Sequence, residues 1–289
     1  MEFFRGCTAL ITGASSGLGA EFARQLAPRA RALVLVARRL DRLEAMKSEL
    51  TREHPQLAVF TFQLDLADEM AIENFVRWLE VKFESQNLRV DLLINNAGLG
   101  DHGTFESADW QRVKQILDVN IAALTKLTHR LLPMLRRAAF TNSKRKKLRA
   151  AILNVSSTAS FVPVPHMAVY AATKAYVTSF SEALRAELRG SGVSVTALCP
   201  GPVDTEFGTA AERGHERNKT PMSAPELLKI TPERAVRLAL QAVARDRARI
   251  VPGFAIWFLM LFACATPMFL LRISLNIGEA RMKLRSRQR

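Results

Sequence analysis

The chain has 289 residues, of which 48% are hydrophobic and 24% charged, with 14 Gly and 12 Pro. These proportions exclude a disordered, collagen-like or disulfide-stapled chain and fit one large α/β domain or two small ones. Cys7, Cys199 and Cys264 lie far apart and form no C-x-x-C pair. That spacing disfavours a zinc knuckle or an oxidised framework and indicates a reducing compartment.

The formal net charge of +14 is concentrated in two short segments. Arg136–Arg149 holds seven basic residues and no acid, and Arg272–Arg289 holds six basic residues and one acid, so together they carry 12 of the 14 charges. A nucleic-acid binder usually spreads its basic residues over one face. The clustering therefore argues against a nucleic-acid partner. It leaves two alternatives, a solvated loop or contact with an anionic membrane surface.

Short apolar runs alternate with helix-length segments along the first two thirds of the chain. The apolar runs lack period-two alternation, which is typical of strands covered on both faces. The predicted strands are Ala9–Ile11, Ala32–Ala37, Ala58–Gln63, Leu92–Asn95, Ala150–Val155 and Val193–Cys199. The helical segments between them include Gly19–Leu26, Leu40–Glu53, Glu69–Glu84 and Trp110–Arg137. This alternation predicts an α/β fold with a doubly wound parallel sheet, Rossmann-like, and no signal peptide is expected before it.

The pattern changes after the last predicted strand. Positions 200–225 are rich in Gly, Pro, Asn, Thr and charged residues, a composition typical of a lid or binding loop. A helix then begins with Thr231 as N-cap and Pro232 in its first turn. We therefore predict a single domain over 1–249, with a substrate lid at about 203–230 and a C-terminal apolar helical extension over 250–289.

The first chemical motif, T-G-A-S-S-G-L-G over Thr12–Gly19, directly follows the first predicted strand and precedes a helix. Glycines at such a turn let the backbone approach a pyrophosphate, and the helix N-terminus favours its negative charge. A Gly-rich turn in this context predicts a dinucleotide site.

The end of the second predicted strand reads V-A-R-R and carries no carboxylate. An acidic residue here would bind a ribose 2′-hydroxyl, whereas a basic one accepts a 2′-phosphate. Arg38 and Arg39 are suited to a phosphate dianion, because guanidinium presents a planar fork of donors. The pair therefore predicts NADP(H) rather than NAD(H). The alternative is that both arginines only end the strand at the surface.

Tyr170 and Lys174 are four residues apart, which places them on one face of a helix. A free phenol, with a pKa of about 10, is a poor acid–base group at neutral pH. A neighbouring lysine cation favours the phenolate and is expected to lower that pKa. Ser157 ends a predicted strand thirteen residues upstream and supplies a hydroxyl for a substrate carbonyl. The alternative is a surface Tyr–Lys pair.

Taken together, these motifs resemble the short-chain dehydrogenase/reductase family over about 5–252. The resemblance rests on separate motifs in the expected order: Thr12–Gly19, Asp65-Leu66, Asn95-Asn96-Ala97-Gly98, Asn120, Ser157, Tyr170-x-x-x-Lys174 and Pro200-Gly201.

The resemblance implies a catalytic set of four residues. Ser157 would polarise the carbonyl, and Tyr170 would donate the proton during reduction. Lys174 would bind the nicotinamide ribose and lower the tyrosine pKa. Asn120 would hold a water that connects Lys174 to solvent.

The resemblance also implies that most of the cofactor contacts follow the strands. Asp65 would bind the adenine amino group, and Asn96, Ala97 and Gly98 would lie against the adenosine ribose. Val203 and the Pro-Gly before it would pack on the nicotinamide, with Thr205 near its carboxamide or the pyrophosphate. The full predicted cofactor set is Thr12, Gly13, Ser15, Ser16, Gly17, Leu18, Gly19, Arg38, Arg39, Asp65, Leu66, Asn96, Ala97, Gly98, Tyr170, Lys174, Pro200, Gly201, Val203 and Thr205.

One departure from the family concerns coenzyme choice. Many NADP-preferring relatives carry a basic residue inside the Gly-rich turn, where this chain has Ser15 and Ser16. A serine can still bind the phosphate, so the predicted preference rests mainly on Arg38 and also on Arg39.

These features predict an NADPH-dependent oxidoreductase that reversibly reduces a ketone or aldehyde. The run F-V-P-V over Phe161–Val164 would make an apolar pocket wall, which suits a lipophilic substrate such as a 3-oxoacyl chain, a steroid-like ketone or a quinone. The alternative is a membrane-associated NADP(H)-binding sensor or scaffold with little turnover. No metal is expected, because the histidines show no ligand spacing. The family resemblance further suggests a homo-oligomer.

Positions 250–271 contain no charged residue, and twenty-two residues are enough to span about 30 Å of hydrocarbon. Pro267 interrupts the segment, and the basic tail after it is expected on the same, cytoplasmic, side as the NADP(H) domain. A re-entrant or interfacial segment on the cytoplasmic membrane face is therefore favoured over a crossing. The alternative is a helix that closes the pocket or packs on a second subunit.

Overall fold

The computed structural model describes residues 2–141, 150–212, 229–273 and 275–277. Three sequence-based predictions lie wholly or partly outside these residues: the basic run at 144–147, most of the substrate lid, and the basic tail after 277.

Seven parallel strands form one sheet in the order β3-β2-β1-β4-β5-β6-β7. The strands are β1 Thr8–Thr12, β2 Ala32–Ala37, β3 Ala58–Gln63, β4 Leu92–Asn95, β5 Ala150–Val155, β6 Val193–Leu198 and β7 Arg249–Ile250. The helices are α1 Gly17–Leu26, α2 Leu40–Glu53, α3 Glu69–Ser85, α4 Trp110–Leu117, α5 Leu124–Thr141, α6 Ala168–Glu187, α7 Glu206–Ala211, α8 Pro232–Ala244 and α9 Phe254–Ala265. The strand order reverses between β1 and β4, and ligands bind at such switch points.

The sheet is covered on both faces, which explains the unbroken apolar runs in the sequence. Every residue of β1, β2, β4, β5 and β6 is buried. Along β2, Leu33 and Leu35 belong to one core cluster, and Val34 and Val36 belong to the cluster on the opposite face. The predicted doubly wound fold is therefore confirmed.

The predicted helix Trp110–Arg137 is wrong in one respect, because it is not a continuous α-helix. A single π-helical segment, Asp118–Ala123, separates α4 from α5 and contains the predicted site residue Asn120. Such π turns recur at functional sites. The two-residue strand β7 was not predicted, because it is too short to show a periodicity.

Helix α8 begins as the sequence predicts. The Thr231 side chain accepts a hydrogen bond from the Arg234 amide at 3.4 Å, and Pro232 lies in the first turn. This N-cap satisfies one of the amides that a helix start leaves unpaired.

The C-terminal extension forms two short helices, Phe254–Ala265 and Met268–Ile277, bent by 111° at the break that contains Pro267. Within the described residues, no single helix is long and apolar enough to cross a membrane, although the bent pair together meets the same criteria of length and composition. Large apolar side chains on these helices are exposed, among them Phe262 at 67% and Phe269 at 60%.

Candidate active site

The Gly-rich turn is held against the end of β4 by the side chain of Asn96. The Asn96 amide group donates to the carbonyl of Thr12 at 2.9 Å, while Thr12 Oγ1 accepts from the backbone amides of Asn96 and Ala97 at 3.0 and 3.1 Å. Gly13 has φ +65°, and a Cβ there would lie 2.9 Å from the Ala97 Cα. The turn therefore requires glycine at this position for both conformation and space.

The serines of the turn contact one of the predicted phosphate-binding arginines. Arg39 donates to Ser16 Oγ at 2.8 Å and to Ser15 Oγ at 3.2 Å. Arg38 is exposed at the same strand end, where its backbone carbonyl accepts from Gln63. The structure thus brings Arg39 and both serines together, and leaves Arg38 beside them.

Two further charged residues join this group and were not found from the sequence. Glu206, at the start of α7, accepts from Arg39 at 3.2 Å and from Arg42 at 2.8 Å. The position of Arg42 one helical turn after Arg39 was a signal that the two share a face. Nothing in the local sequence indicated that Glu206 would reach them.

The predicted adenine residues follow β3. Asp65 is exposed, and its carboxylate accepts from the Ala67 amide at 3.0 Å, which closes a turn after the strand. Leu66 is buried in the core. Since β3 is the neighbour of β2, both residues lie at the same sheet edge as the arginines.

Ser157, which follows β5, lies near Tyr170 and Lys174, which are in the first two turns of α6. The Tyr170 hydroxyl and the Ser157 side chain lie near enough to each other for Ser157 to influence the tyrosine pKa. The Lys174 ammonium lies 5.7 Å from the centre of the Tyr170 ring and donates to the Val155 carbonyl at 2.8 Å. Tyr170 and Lys174 are both buried, so the alternative of a surface pair is wrong.

Burial shifts the two ionisable groups toward their neutral forms. It raises the pKa of Tyr170 to about 12, against a smaller opposing effect of the Ser157 side chain. It lowers the pKa of Lys174 to about 8. The sequence-based expectation that the pKa of Tyr170 falls below its usual value is therefore wrong for this structure. The physical reason is that loss of solvent dominates, and that the ammonium donates to a backbone carbonyl.

Asn120, in the π turn, joins the loop after β4 to helix α6. Its side chain accepts from the Leu99 amide at 2.8 Å and donates to the Leu99 carbonyl at 2.9 Å and to Thr173 Oγ1 at 3.0 Å. A Cβ on Gly98 would lie 3.3 Å from Lys174 Nζ and 3.5 Å from Asn120 Oδ1. Gly98 therefore leaves open the space between the two side chains, where the bridging water remains a prediction.

The segment before α7 lies beside Ser157. The Thr158 amide donates to the Pro200 carbonyl at 2.9 Å, which joins the Pro200-Gly201 turn to the turn that holds Ser157. Val203 forms an isolated bridge with Ile230. The methyl group of Thr205 would be 3.4 Å from a Cβ on Gly17, so this segment reaches the Gly-rich turn.

Helix α7 covers the reactive tyrosine, a contact that sequence reasoning missed. The ring centres of Phe207 and Tyr170 are 5.5 Å apart. A Cβ on Gly100 would lie 2.8 Å from Phe207 and 3.0 Å from Ala211, so a larger residue there would require α7 or its side chains to shift. Arg112 donates to the carbonyls of Gly100 and Ala210, at 2.6 and 3.3 Å, and ties the far end of the helix down.

Two curated relatives illustrate the range of similar proteins. Sulfoacetaldehyde reductase 2 of Chromohalobacter salexigens is 34% identical over 232 residues, which cover 76% of this chain and 85% of the relative. The very-long-chain 3-oxoacyl-CoA reductase of Macaca fascicularis is 27% identical over 283 residues, covering 94% of this chain and 80% of the relative.

Similar solved structures contain either coenzyme. A short-chain dehydrogenase from Sphingobium yanoikuyae in complex with NADPH is 31% identical, with TM-score 0.73 over 89% of this chain and 93% of that one. A short-chain dehydrogenase/reductase from Burkholderia phymatum in complex with NAD is 25% identical, with TM-score 0.74 over 90% and 93%. The family model of the short chain dehydrogenases matches residues 7–216. The chain therefore belongs to the short-chain dehydrogenase family of oxidoreductases.

Proposed function

We propose that the protein is an NADP(H)-dependent reductase of lipophilic ketones or aldehydes, working reversibly on the carbonyl/alcohol pair. The observation that carries this proposal is the convergence of two neighbouring hydroxyls, Ser157 and Tyr170, with the buried Lys174 at the carboxyl edge of the sheet. Ligands of doubly wound folds bind at this edge.

The residues present fit a phosphorylated dinucleotide. Gly13 and Gly17 both have a positive φ, and Gly13 lies close to Ala97. Because neither glycine has a side chain, a pyrophosphate can approach the backbone of the turn. Arg39 already binds a carboxylate of this chain, so its guanidinium is oriented toward an anion beside Ser15 and Ser16. Once bound, the nicotinamide supplies or accepts a hydride.

Within the protein, each of the three side chains has a distinct task during reduction. Ser157 donates a hydrogen bond to the substrate oxygen and holds it near the phenol. Tyr170 donates its proton to that oxygen as negative charge develops there, and its raised pKa keeps it protonated beforehand at neutral pH. The Lys174 ammonium stabilises the phenolate that remains. Phe207 packs on the Tyr170 ring and covers one side of the phenol.

The substrate class is proposed from the pocket wall and from a relative. Phe161, Val162 and Val164 follow the Ser157 turn and are each partly exposed, so apolar surface borders the hydroxyl pair. The relative that aligns over nearly the whole chain acts, by its name, on very-long-chain 3-oxoacyl groups. We therefore expect turnover to rise with acyl chain length in a series of 3-oxo substrates.

The test of the proposed function is Tyr170→Phe, with Tyr176→Phe as a matched control. The chain has only these two tyrosines, and Tyr176 is exposed, with its hydroxyl paired to Thr125. We expect Tyr170→Phe to reduce carbonyl turnover about 10²- to 10⁴-fold, with NADPH affinity unchanged in a fluorescence titration. The control should keep full turnover.

Two outcomes would contradict this assignment. Turnover retained by Tyr170→Phe would remove the phenol as proton donor. Wild-type protein that binds NADPH but reduces none of a broad set of aldehydes and ketones would favour the sensor or scaffold function.

We also propose that the C-terminal extension contacts an anionic membrane surface on the cytoplasmic side. Exposed aromatic and aliphatic side chains on both bent helices support this, since patches of this kind commonly mark interaction sites. The five net positive charges of Arg272–Arg289 supply attraction to anionic lipid. A homo-oligomer is proposed on family resemblance alone, and light scattering of the purified protein would test it.

A further inference from the structure

The carboxylate of Glu206 occupies the guanidinium groups that the proposed coenzyme needs. It accepts hydrogen bonds from Arg42 at 2.8 and 3.0 Å and from Arg39 at 3.2 Å. These hydrogen bonds, with that from Arg42 the strongest, hold the pKa of Glu206 below its usual range. All three side chains are about half exposed, so another anion could replace the carboxylate from solvent.

The same residue begins the helix that covers the reactive tyrosine. Glu206 is the first residue of α7, and Phe207 next to it packs on the Tyr170 ring. The residue before it, Thr205, lies against Gly17 of the Gly-rich turn. One short segment therefore links the arginines at the coenzyme end of the site to the phenol at the reaction end.

We propose that Glu206 is an internal substitute for the ribose 2′-phosphate and competes with it for Arg39 and Arg42. This inference rests on the proposed use of NADP(H). A phosphate dianion carries more charge than the carboxylate and accepts hydrogen bonds at least as well from a guanidinium fork. Two anions on one pair of guanidiniums repel each other, so arrival of the phosphate displaces Glu206 and frees the start of α7.

The consequence is a coupling between coenzyme choice and the cover over Tyr170. NAD(H) has a 2′-hydroxyl in place of the phosphate, so it leaves the Glu206 ion pairs intact and the helix anchored. NADP(H) must break these ion pairs, which weakens its binding. Glu206 therefore sets coenzyme specificity by opposing the phosphate-bearing form, and Arg42 is a third arginine of the phosphate site.

The test compares adenosine 2′,5′-bisphosphate with AMP by calorimetry, on protein without coenzyme. The two probes differ only in the 2′-phosphate, and neither carries a nicotinamide. In Glu206→Gln we expect the bisphosphate to bind about 2- to 10-fold more tightly, as the loss of two exposed ion pairs allows. AMP affinity should stay within twofold. Asp204→Asn removes an equal charge two positions earlier and should change bisphosphate affinity less.

A second measurement follows the helix in the unmodified protein. Hydrogen exchange of the amides of 206–211 should accelerate when the bisphosphate is added, and AMP should leave it unchanged. Equal effects of both probes, or looser bisphosphate binding by Glu206→Gln, would overturn the competition.

Failure of the coenzyme proposal gives a different result. Wild-type protein that binds the bisphosphate no better than AMP, with no change in Arg39→Ala, would remove the NADP(H) assignment and this inference with it. A wild-type preference for the bisphosphate that depends on Arg39 but is unaffected by Glu206→Gln would overturn the competition alone.

Discussion

The carboxyl edge of the sheet and the C-terminal extension depart from the usual distribution of residues in opposite ways. At the sheet edge, polar groups such as Lys174 and Asn120 are buried, and other parts of the same chain supply their hydrogen-bond partners. In the extension, Phe262 and Phe269 are exposed although they are large and apolar. The first region is explained by contacts within the chain. The second is not covered by any of the residues that the structure describes, and the proposed membrane contact would cover it. The following experiments are designed to test that difference.

The largest effect is expected from removal of the buried cation. Lys174→Met should reduce carbonyl turnover at least about 10²-fold, because the phenolate left after proton transfer loses its stabilising charge. Lys114→Met is the matched control, since Lys114 is exposed on α4 and pairs only with Asp118 among the contacts that the structure gives it. Steady-state kinetics with NADPH and one accepted carbonyl measures both. Equal losses in the two variants would contradict the assigned role.

The next effect concerns pH. Because the pKa of Lys174 is lowered to about 8, its positive charge is lost as the pH rises through that value. The Tyr170 phenol, with a pKa near 12, remains protonated over the same interval. Single-turnover reduction should therefore be constant below about pH 8 and then fall about tenfold per pH unit. Lys174→Arg should move this decline to higher pH, whereas an unchanged profile would show that another group titrates.

A comparison of alanine variants at two glycines with similar φ distinguishes the cost of backbone strain from the cost of steric crowding. Gly13 and Gly6 have φ +65° and +70°, but only a Cβ on Gly13 would contact other atoms within 4 Å. Each Gly→Ala change should lower the free energy of unfolding by about 1–2 kcal/mol through the left-handed conformation. Gly13→Ala should cost about 1–2 kcal/mol more because it crowds the end of β4. Denaturant unfolding measures the difference. Equal losses of unfolding free energy in the two variants would show that the Gly-rich turn accommodates a Cβ without crowding.

The smallest effect on the protein itself is expected in the extension. Phe262→Glu should reduce flotation with vesicles rich in anionic lipid several-fold and leave the free energy of unfolding nearly unchanged, because the side chain is 67% exposed. Phe105→Glu is the control, with 66% exposure in a loop after β4. Vesicles of neutral lipid test the contribution of the basic tail. If the wild-type protein does not float, or if both variants lose flotation equally, the proposed membrane contact is wrong. The exposed surface would then be a candidate site for a protein partner.

Much of the fold and part of the site could be predicted because they depend on local signals. Strand bounds follow from buried apolar runs, and helices α2 and α8 begin at the predicted residues, Leu40 and Pro232. The meeting of Ser157 with Tyr170 follows from strand-end geometry and helical spacing.

The parts that could not be predicted depend on contacts distant in sequence or on burial. Glu206 reaches Arg42 across 164 positions, and Phe207 meets Tyr170 only because the segment after β6 folds back. The direction of the tyrosine pKa was mispredicted because desolvation is a property of the surrounding fold. The four-residue spacing of Tyr170 and Lys174 carries no information about it.

Because Asn120 lies in a π turn, its position in the site depends on the number of residues in that turn. A π turn contains one more residue than the α-helical turn it replaces, so deletion of a single residue there would let α4 and α5 merge into one regular helix. Side chains on one side of the join would rotate by about 100° relative to the other, and the asparagine amide would leave Leu99 and Thr173. The presence of Asn120 at this site thus depends on the number of residues in the helix as well as on their identity.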